Sequence, residues 1–259
     1  MDSGVSVLSQ PSRSSGSTVR LLVSVKNAAE AAVALQESIS ILDVKAPERG
    51  ALGQPLDKDL EQIGAVQPAN PIDRSVACGE LQDYIENRQQ PPQVPKNFKF
   101  FKLGLSGLNQ TANWPTLWES QIRRFAGMQP VAVSYADYKE CAAPHPEAVM
   151  EAGKQLGCQF FLFDTFSKLK RKNIFSFLPQ STLSPWIQQA KNLGMKTVIA
   201  GSITQQDVKK CKEMAPDYIG VRRAVCRAGR ESELDRDKLA QLVRRLQEDQ
   251  QQLRATESL

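Results

Sequence analysis

The sequence predicts a (β/α)8 barrel built from residues 19–259. Eight short apolar runs alternate with eight amphipathic segments, the pattern of parallel βαβ units. The chain has 259 residues, about the length that eight such units need. The charged residues of the runs also gather at their C-terminal ends, where barrels of this kind carry their active sites. A doubly wound sheet is the alternative, but no GxGxxG follows the first run.

The elements follow in order. The first run, VRLLVSV (19–25), ends at Lys26 and precedes a helix over 27–37. The second, SISILDV (38–44), is followed by Lys45 and a helix over 57–64. Strand side chains alternate faces, so Asp43 and Lys45 point the same way. The third run, SVAC (75–78), leads to Glu80 and a helix over 80–89, and Glu80 is expected to be a first-turn carboxylate of that helix. The fourth, FKFFKLGL (98–105), contains both Lys99 and Lys102, and pattern alone does not choose between them. Its helix, 113–127, has Trp114 and Trp118 on one packing face. The fifth run, PVAVSYA (130–136), leads through Tyr135 to Asp137, and His145 begins the helix over 146–156 at the surface. The sixth, QFFLFDT (159–165), carries Asp164, with Lys168 four residues on and a helix over 182–193. The seventh, KTVIAGS (196–202), ends at Gly201 and Ser202 before a helix over 204–214. The eighth, DYIGVRR (217–223), places Gly220 ahead of the adjacent Arg222 and Arg223, which should point apart. The last helix, 234–253, has Leu239, Leu242, Val243 and Leu246 at helical spacing.

Composition narrows the function. The net charge of +5 is mild and no basic motif is interleaved with aromatics, which argues against a nucleic-acid partner. No apolar run approaches the length of a membrane span. Residues 1–18 are rich in Ser and Gly and lack a signal-peptide pattern, so a disordered tail is expected on a soluble, cytoplasmic protein. Five scattered cysteines without a CxxC pair fit reduced thiols. A single histidine disfavours a His-based metal site, and no metal or cofactor is expected. Whether the chain forms a homo-oligomer stays open.

Lys26, Lys45, Lys102, Lys168 and one of Arg222 and Arg223 would make a strongly cationic barrel mouth. Such a cluster needs anions, and phosphate esters suit it. Gly201, Ser202 and Gly220 lie where barrels often present backbone N–H groups to phosphate. A lysine cluster beside a phosphate loop suggests a Schiff-base enzyme acting on sugar phosphates. The plainer alternatives are solvated loop lysines, a structural Asp43–Lys45 ion pair, and Asp164 with Lys168 merely capping the next segment.

The stretches LLVSVK, ILDVKAPERGALG, KLGLSG, YADY, DTFSK, AGSI and IGVRRAVC, in this order, resemble the (5-formylfuran-3-yl)methyl phosphate synthase family, also called 4-(hydroxymethyl)-2-furancarboxaldehyde-phosphate synthase. The resemblance spans about residues 20–228. The chain departs from the archaeal pattern at Ser134, where a glycine is usual, and at LKRKNIF (169–175). The resemblance implies a (β/α)8 barrel that condenses two glyceraldehyde 3-phosphate molecules into a phosphorylated furan aldehyde, an early precursor of methanofuran. It places the Schiff-base lysine on Lys45 and the acid/base lysine on Lys102, with Asp43, Asp164 and Lys168 as further catalytic residues. On this basis Lys45 forms an iminium with one triose phosphate and phosphate leaves. The resulting carbon nucleophile attacks the aldehyde of the second triose. Lys26, Gly201, Ser202, Gly220 and Arg222 are the expected substrate and phosphate contacts.

Overall fold

A computed structural model describes residues 19–168 and 172–257, so the expected tail over 1–18 lies outside the described residues. Eight parallel strands close into a barrel in chain order: β1 Arg20–Val25, β2 Ile41–Val44, β3 Asp73–Glu80, β4 Phe100–Gly104, β5 Gln129–Tyr135, β6 Phe160–Asp164, β7 Lys196–Ile199 and β8 Tyr218–Val221. The helices between and after them are α1 Ala28–Ala34, α2 Asp57–Ala65, α3 Leu81–Ile85, α4 Trp114–Ile122, α5 Pro146–Gln155, α6 Gln180–Asn192, α7 Val208–Glu213 and α8 Arg236–Glu257. Each corresponds to one expected segment. β2 begins later than its apolar run, because Ser38–Ser40 form the approach to the strand. α3 ends after little more than a turn, where Asn87 adopts a left-handed backbone (φ 56°).

The strand residues divide into two packed sets, as the period of two demands. Leu21, Val23, Leu42, Val44, Phe101, Leu103, Phe161 and Phe163 face outward and join the helices in the larger core. Leu22, Ile41, Ala77, Phe100, Val131, Val133, Phe160, Leu162, Val198 and Tyr218 fill the lumen. The N-terminal end is closed by aromatics: the rings of Phe100 and Phe160 meet edge to face at 4.8 Å, and Tyr218 lies 5.6 Å beyond Phe160. Arg20 covers Tyr218, with its guanidinium carbon 4.1 Å from the ring centre. Polar lumen positions therefore accumulate at the opposite, C-terminal end.

α8 seats Leu239, Leu242, Val243 and Leu246 in the outer core, as the spacing predicts for a final barrel helix. Trp114 and Trp118 are likewise buried packing residues of α4. The His145 Nδ1 accepts from the Glu147 N–H at 3.4 Å and caps α5. Among the described residues no helix is long and apolar enough to cross a membrane.

Candidate active site

Strand register builds the site. Ser24, Asp43 and Ser75 are neighbours across β1, β2 and β3, all on the lumen side. Both serine hydroxyls donate to Asp43, Ser24 to Oδ2 at 2.9 Å and Ser75 to Oδ1 at 2.7 Å. The Lys102 ammonium, from β4, donates to the same Oδ1 in a buried ion pair. Burial alone would raise the Asp43 pKa. Lys102, and after it Lys45, outweigh burial and hold the carboxyl below its usual range. Asp43 is thus a fixed anion, and the pair answers for a charge in an otherwise apolar strand.

Lys45 lies two residues beyond Asp43 and lines the same cavity as Lys102, Asp164 and Lys168. Its pKa is pulled down to about 8, chiefly by burial. Asp164 and Asp43 oppose that shift, while Lys168 and Lys102 reinforce it. On the far wall, β6 ends at Asp164. Its Oδ1 accepts from the Lys168 ammonium and from the Thr165 N–H, both at 2.7 Å. Burial pushes Asp164 up, but Lys168 and Lys45 bring it below the ordinary carboxylate range. Lys168 itself is lowered by burial, against the attraction of Asp164. The mouth is therefore less cationic than its lysine count suggests, because two of its lysines have aspartate partners.

Gly201, Ser202 and Gly220 line the cavity at the ends of β7 and β8. Gly201 and Ser202 both take left-handed backbone angles (φ 93° and 58°), and a Cβ on Gly201 would press against Thr165 and Ile174 at 3.0 Å.

Two expected phosphate contacts are engaged by other groups of the protein. Arg222 touches the cavity, but its guanidinium is buried against Glu30, with contacts of 2.8 and 3.2 Å. It also donates to the carbonyls of Ser24, Arg230 and Ser232. Arginine has five N–H donors, and these five contacts account for all of them. These contacts tie the end of β8 to α1 and to the loop after β8. Lys26 likewise donates its ammonium to the Glu231 carbonyl and does not line the cavity. Together Arg222 and Lys26 strap the loop between β8 and α8 over the barrel mouth.

That loop supplies a residue the sequence reading missed. Arg230 lines the cavity, and one of its nitrogens donates to the Gly50 carbonyl at 2.8 Å. Burial lowers its pKa, and Asp164 is the largest opposing influence. Asp137 was likewise not selected: it accepts the Phe166 and Ser167 N–H groups at 2.7 and 2.6 Å and so fixes the segment that carries Lys168.

Glu80 departs most from expectation. It precedes α3 without capping it and instead accepts a 2.6 Å hydrogen bond from the Tyr135 hydroxyl and one of 3.1 Å from the Ser106 N–H. The cause is a β-bulge. Ala77 pairs with Lys102, yet Glu80 pairs with Gly104, so β3 spends three steps where β4 spends two. The extra residue turns Glu80 toward the lumen side. Gly79 takes the required φ of 81°. Burial raises the Glu80 pKa to about 7, against the Tyr135 hydroxyl and the Ser106 N–H, which favour the ionised form.

Comparison with known proteins places the chain in a family. The family described as 4-HFC-P synthase matches residues 21–243. The (5-formylfuran-3-yl)methyl phosphate synthase of Methanocaldococcus jannaschii is 28% identical over 81% of this chain and 91% of its own. The enzyme of that name from Methanopyrus kandleri is also 28% identical, over 88% of this chain and 98% of its own. Among solved structures, phosphoribosyl anthranilate isomerase from Thermus thermophilus superposes with a TM-score of 0.58 at 15% identity, covering 89% of this chain and 99% of that one. 3-Hexulose-6-phosphate synthase from Salmonella typhimurium gives 0.52 at 16%, over 88% and 100%. The structural likenesses support the barrel fold alone; the sequence match, which spans all eight strands, carries the assignment, and the chain belongs to the 4-HFC-P synthase family.

Proposed function

We propose that this chain condenses two triose phosphates into (5-formylfuran-3-yl)methyl phosphate through an imine on Lys45, a step toward methanofuran-type one-carbon cofactors in the cytoplasm. The observation that carries this reading is an amine titrating near 8, set between the Asp43–Lys102 and Asp164–Lys168 pairs. An ordinary lysine titrates near about 10.4 and is almost wholly protonated at neutral pH. Lys45 has a much larger neutral fraction and is a competent nucleophile.

The reaction begins when neutral Lys45 adds to the aldehyde of glyceraldehyde 3-phosphate and water leaves. The iminium draws electrons from the neighbouring carbon, so a proton is lost there and an enamine forms. Phosphate then departs from the next carbon with the electrons of its C–O bond. What remains is a three-carbon unit that is nucleophilic at its terminal carbon. The ring substitution of the product corrects the expected attack on the second aldehyde. The furan carbon that carries the phosphomethyl arm is the middle carbon of the triose that keeps its phosphate. The new C–C bond must therefore form at that carbon, which is a carbonyl only in the keto isomer. The second triose thus reacts as dihydroxyacetone phosphate, formed from the aldose by moving a proton between adjacent carbons. Ring closure and loss of two waters complete the furan, and release from Lys45 by hydrolysis restores the amine. Two triose phosphates thus balance one furan phosphate, one phosphate and two waters.

Lys102, with Asp43 as its anion, and Lys168 with Asp164 are the proton carriers of these steps. The Gly201–Ser202 turn and Arg230 are the phosphate contacts in this reading. No cofactor takes part in any step. The deciding experiment supplies glyceraldehyde 3-phosphate alone and follows furan absorbance and phosphate release. Borohydride reduction and peptide mass mapping then locate the adduct. A label on Lys45 with furan formation is the expected result. A label without furan would make this a different Schiff-base aldolase.

A further inference from the structure

The bulge in β3 is a costly way to orient one side chain, and its surroundings are built to keep it. The Gly79 N–H donates to the Leu52 carbonyl at 2.7 Å. The Cys78 carbonyl accepts from the Tyr84 hydroxyl and from Gln89, both at 2.8 Å. Gly104 completes the setting. A Cβ there would stand 2.1 Å from a Glu80 oxygen and 2.2 Å from the Tyr135 hydroxyl, so the pair occupies the space that any larger residue would fill. Lys102 lies two residues earlier on the same strand, and Asp164 is the register partner of Tyr135 on β6. Glu80 also lines a cavity of about 390 Å³ beside the Lys45 cavity, and Leu52 borders both.

We propose that Glu80 is a catalytic acid for the dehydration that makes the ring aromatic, with Tyr135 as its positioning residue. This rests on the condensation proposed above. Bond formation at a keto carbon leaves a tertiary hydroxyl on the ring carbon that bears the phosphomethyl arm. Hydroxide is a poor leaving group, so this oxygen needs a proton. Glu80 gives its carboxylic proton to that hydroxyl, and the C–O bond breaks with its electron pair leaving in water. The C–H bond of the adjoining ring carbon supplies the electrons of the new double bond, and its proton returns to the Glu80 carboxylate. One water is lost and Glu80 is restored. The Tyr135 hydroxyl and the Ser106 N–H hold the two carboxyl oxygens in place throughout.

The test compares Glu80→Gln and Tyr135→Phe with the wild type, using glyceraldehyde 3-phosphate as the only substrate. Phosphate, furan and borohydride-trapped Lys45 are measured separately. The wild type should release phosphate and furan in equal amounts. Glu80→Gln cannot supply the proton. It should keep imine trapping and phosphate release within about threefold while furan falls about hundredfold, the usual scale for loss of a general acid. A species heavier than the product by one water should accumulate. In the wild type the furan-forming step should weaken as pH rises through about 7, where Glu80 deprotonates. The charged and polar groups around Glu80 are Tyr135 from β5, the Ser106 N–H after β4, Asp83 from α3 and Lys168 after β6; Arg49 and Arg88 line its cavity. Tyr135→Phe removes a hydrogen bond that favours the ionised form, so its alkaline limb should move to higher pH. A purely structural role for Tyr135 would lower activity without moving that limb. Phosphate and furan falling in parallel in Glu80→Gln would overturn the proposal, as would wild-type furan formation by that variant. A wild type that forms the Lys45 adduct but no furan removes the underlying condensation as well, which separates the two failures.

Discussion

Asp43–Lys102 and Glu30–Arg222 are both buried ion pairs at the C-terminal end of the barrel, yet they do different work. The Arg222 guanidinium has an acceptor for each of its five N–H groups. Glu30 also accepts the N–H groups of Lys26 and Leu234. That pair is closed on itself and fastens a loop. Asp43 is held just as firmly, but among the described residues the Lys102 ammonium has only Asp43 as a hydrogen-bond partner, and it faces the cavity of Lys45. Charge and burial are the same in kind. What separates support from chemistry is whether the cation keeps N–H groups for something else.

The comparison is broken most directly on the chemical side. Lys45→Arg keeps a cation but cannot form an imine, so furan formation should fall about a thousandfold or more while the fold survives. Lys102→Arg should slow turnover about 10²- to 10⁴-fold yet leave a trappable adduct on Lys45. Borohydride labelling with peptide mapping reads both. Labelling at Lys102 in the wild type would exchange the two roles.

On the structural side, Glu30→Gln leaves the buried Arg222 without its counter-charge. Stability should drop by about 3–5 kcal/mol in denaturant melts, while the KM of the folded enzyme stays within about twofold. An unchanged melt with a tenfold higher KM would return Arg222 to the phosphate site. Arg230→Ala sharpens the same contrast. Loss of one charged hydrogen bond to phosphate should raise KM about tenfold with little change in kcat, and added salt should shrink the difference.

The pH dependence of imine trapping should rise through about 8, since Lys45 must lose its proton to react. Asp164 favours the charged amine, so Asp164→Asn should move this midpoint down by about one unit. A midpoint near that of free lysine would mean that the amine is not shielded. The smallest effect is expected at Ser134, whose buried hydroxyl finds no partner among the described residues. Ser134→Ala should be neutral or stabilise by up to about 1 kcal/mol in thermal melts.

Much of this was legible from the chain. Alternation of apolar runs and amphipathic segments located all eight strands, and the two-residue period put Asp43 and Lys45 on one face, whereas Lys102 was preferred to Lys99 by the family resemblance alone. The same rule could not tell that Arg222 would find Glu30, nearly two hundred residues earlier in the chain. Ser24 and Ser75 were visible in their runs, but only the barrel register sets them on either side of Asp43. Arg230 sits in an aperiodic loop, which offers no pattern to read. Burial is the first cause of the lowered Lys45 pKa, ahead of the neighbouring cations, and its extent is set by the closed barrel and not by the local sequence. Glu80 was expected in the first turn of the helix after β3, because nothing in the sequence announces the bulge that turns it to the lumen.

That bulge leaves a mark on the gene that substitution scans do not sample. Removing one residue at Cys78–Gly79 would shorten the strand by about 3.3 Å and restore simple pairing with β4. Every amino acid named in the site would still be encoded, in the same order. Glu80 would then follow Ala77 by two positions instead of three and would still meet Gly104 on the lumen face. A carboxylate at this point of the barrel is therefore compatible with two strand lengths, one bulged and one regular, and among relatives a single-residue gap here would mark the loss of the bulge and of its ties to Leu52 and Gln89, with the carboxylate kept in place.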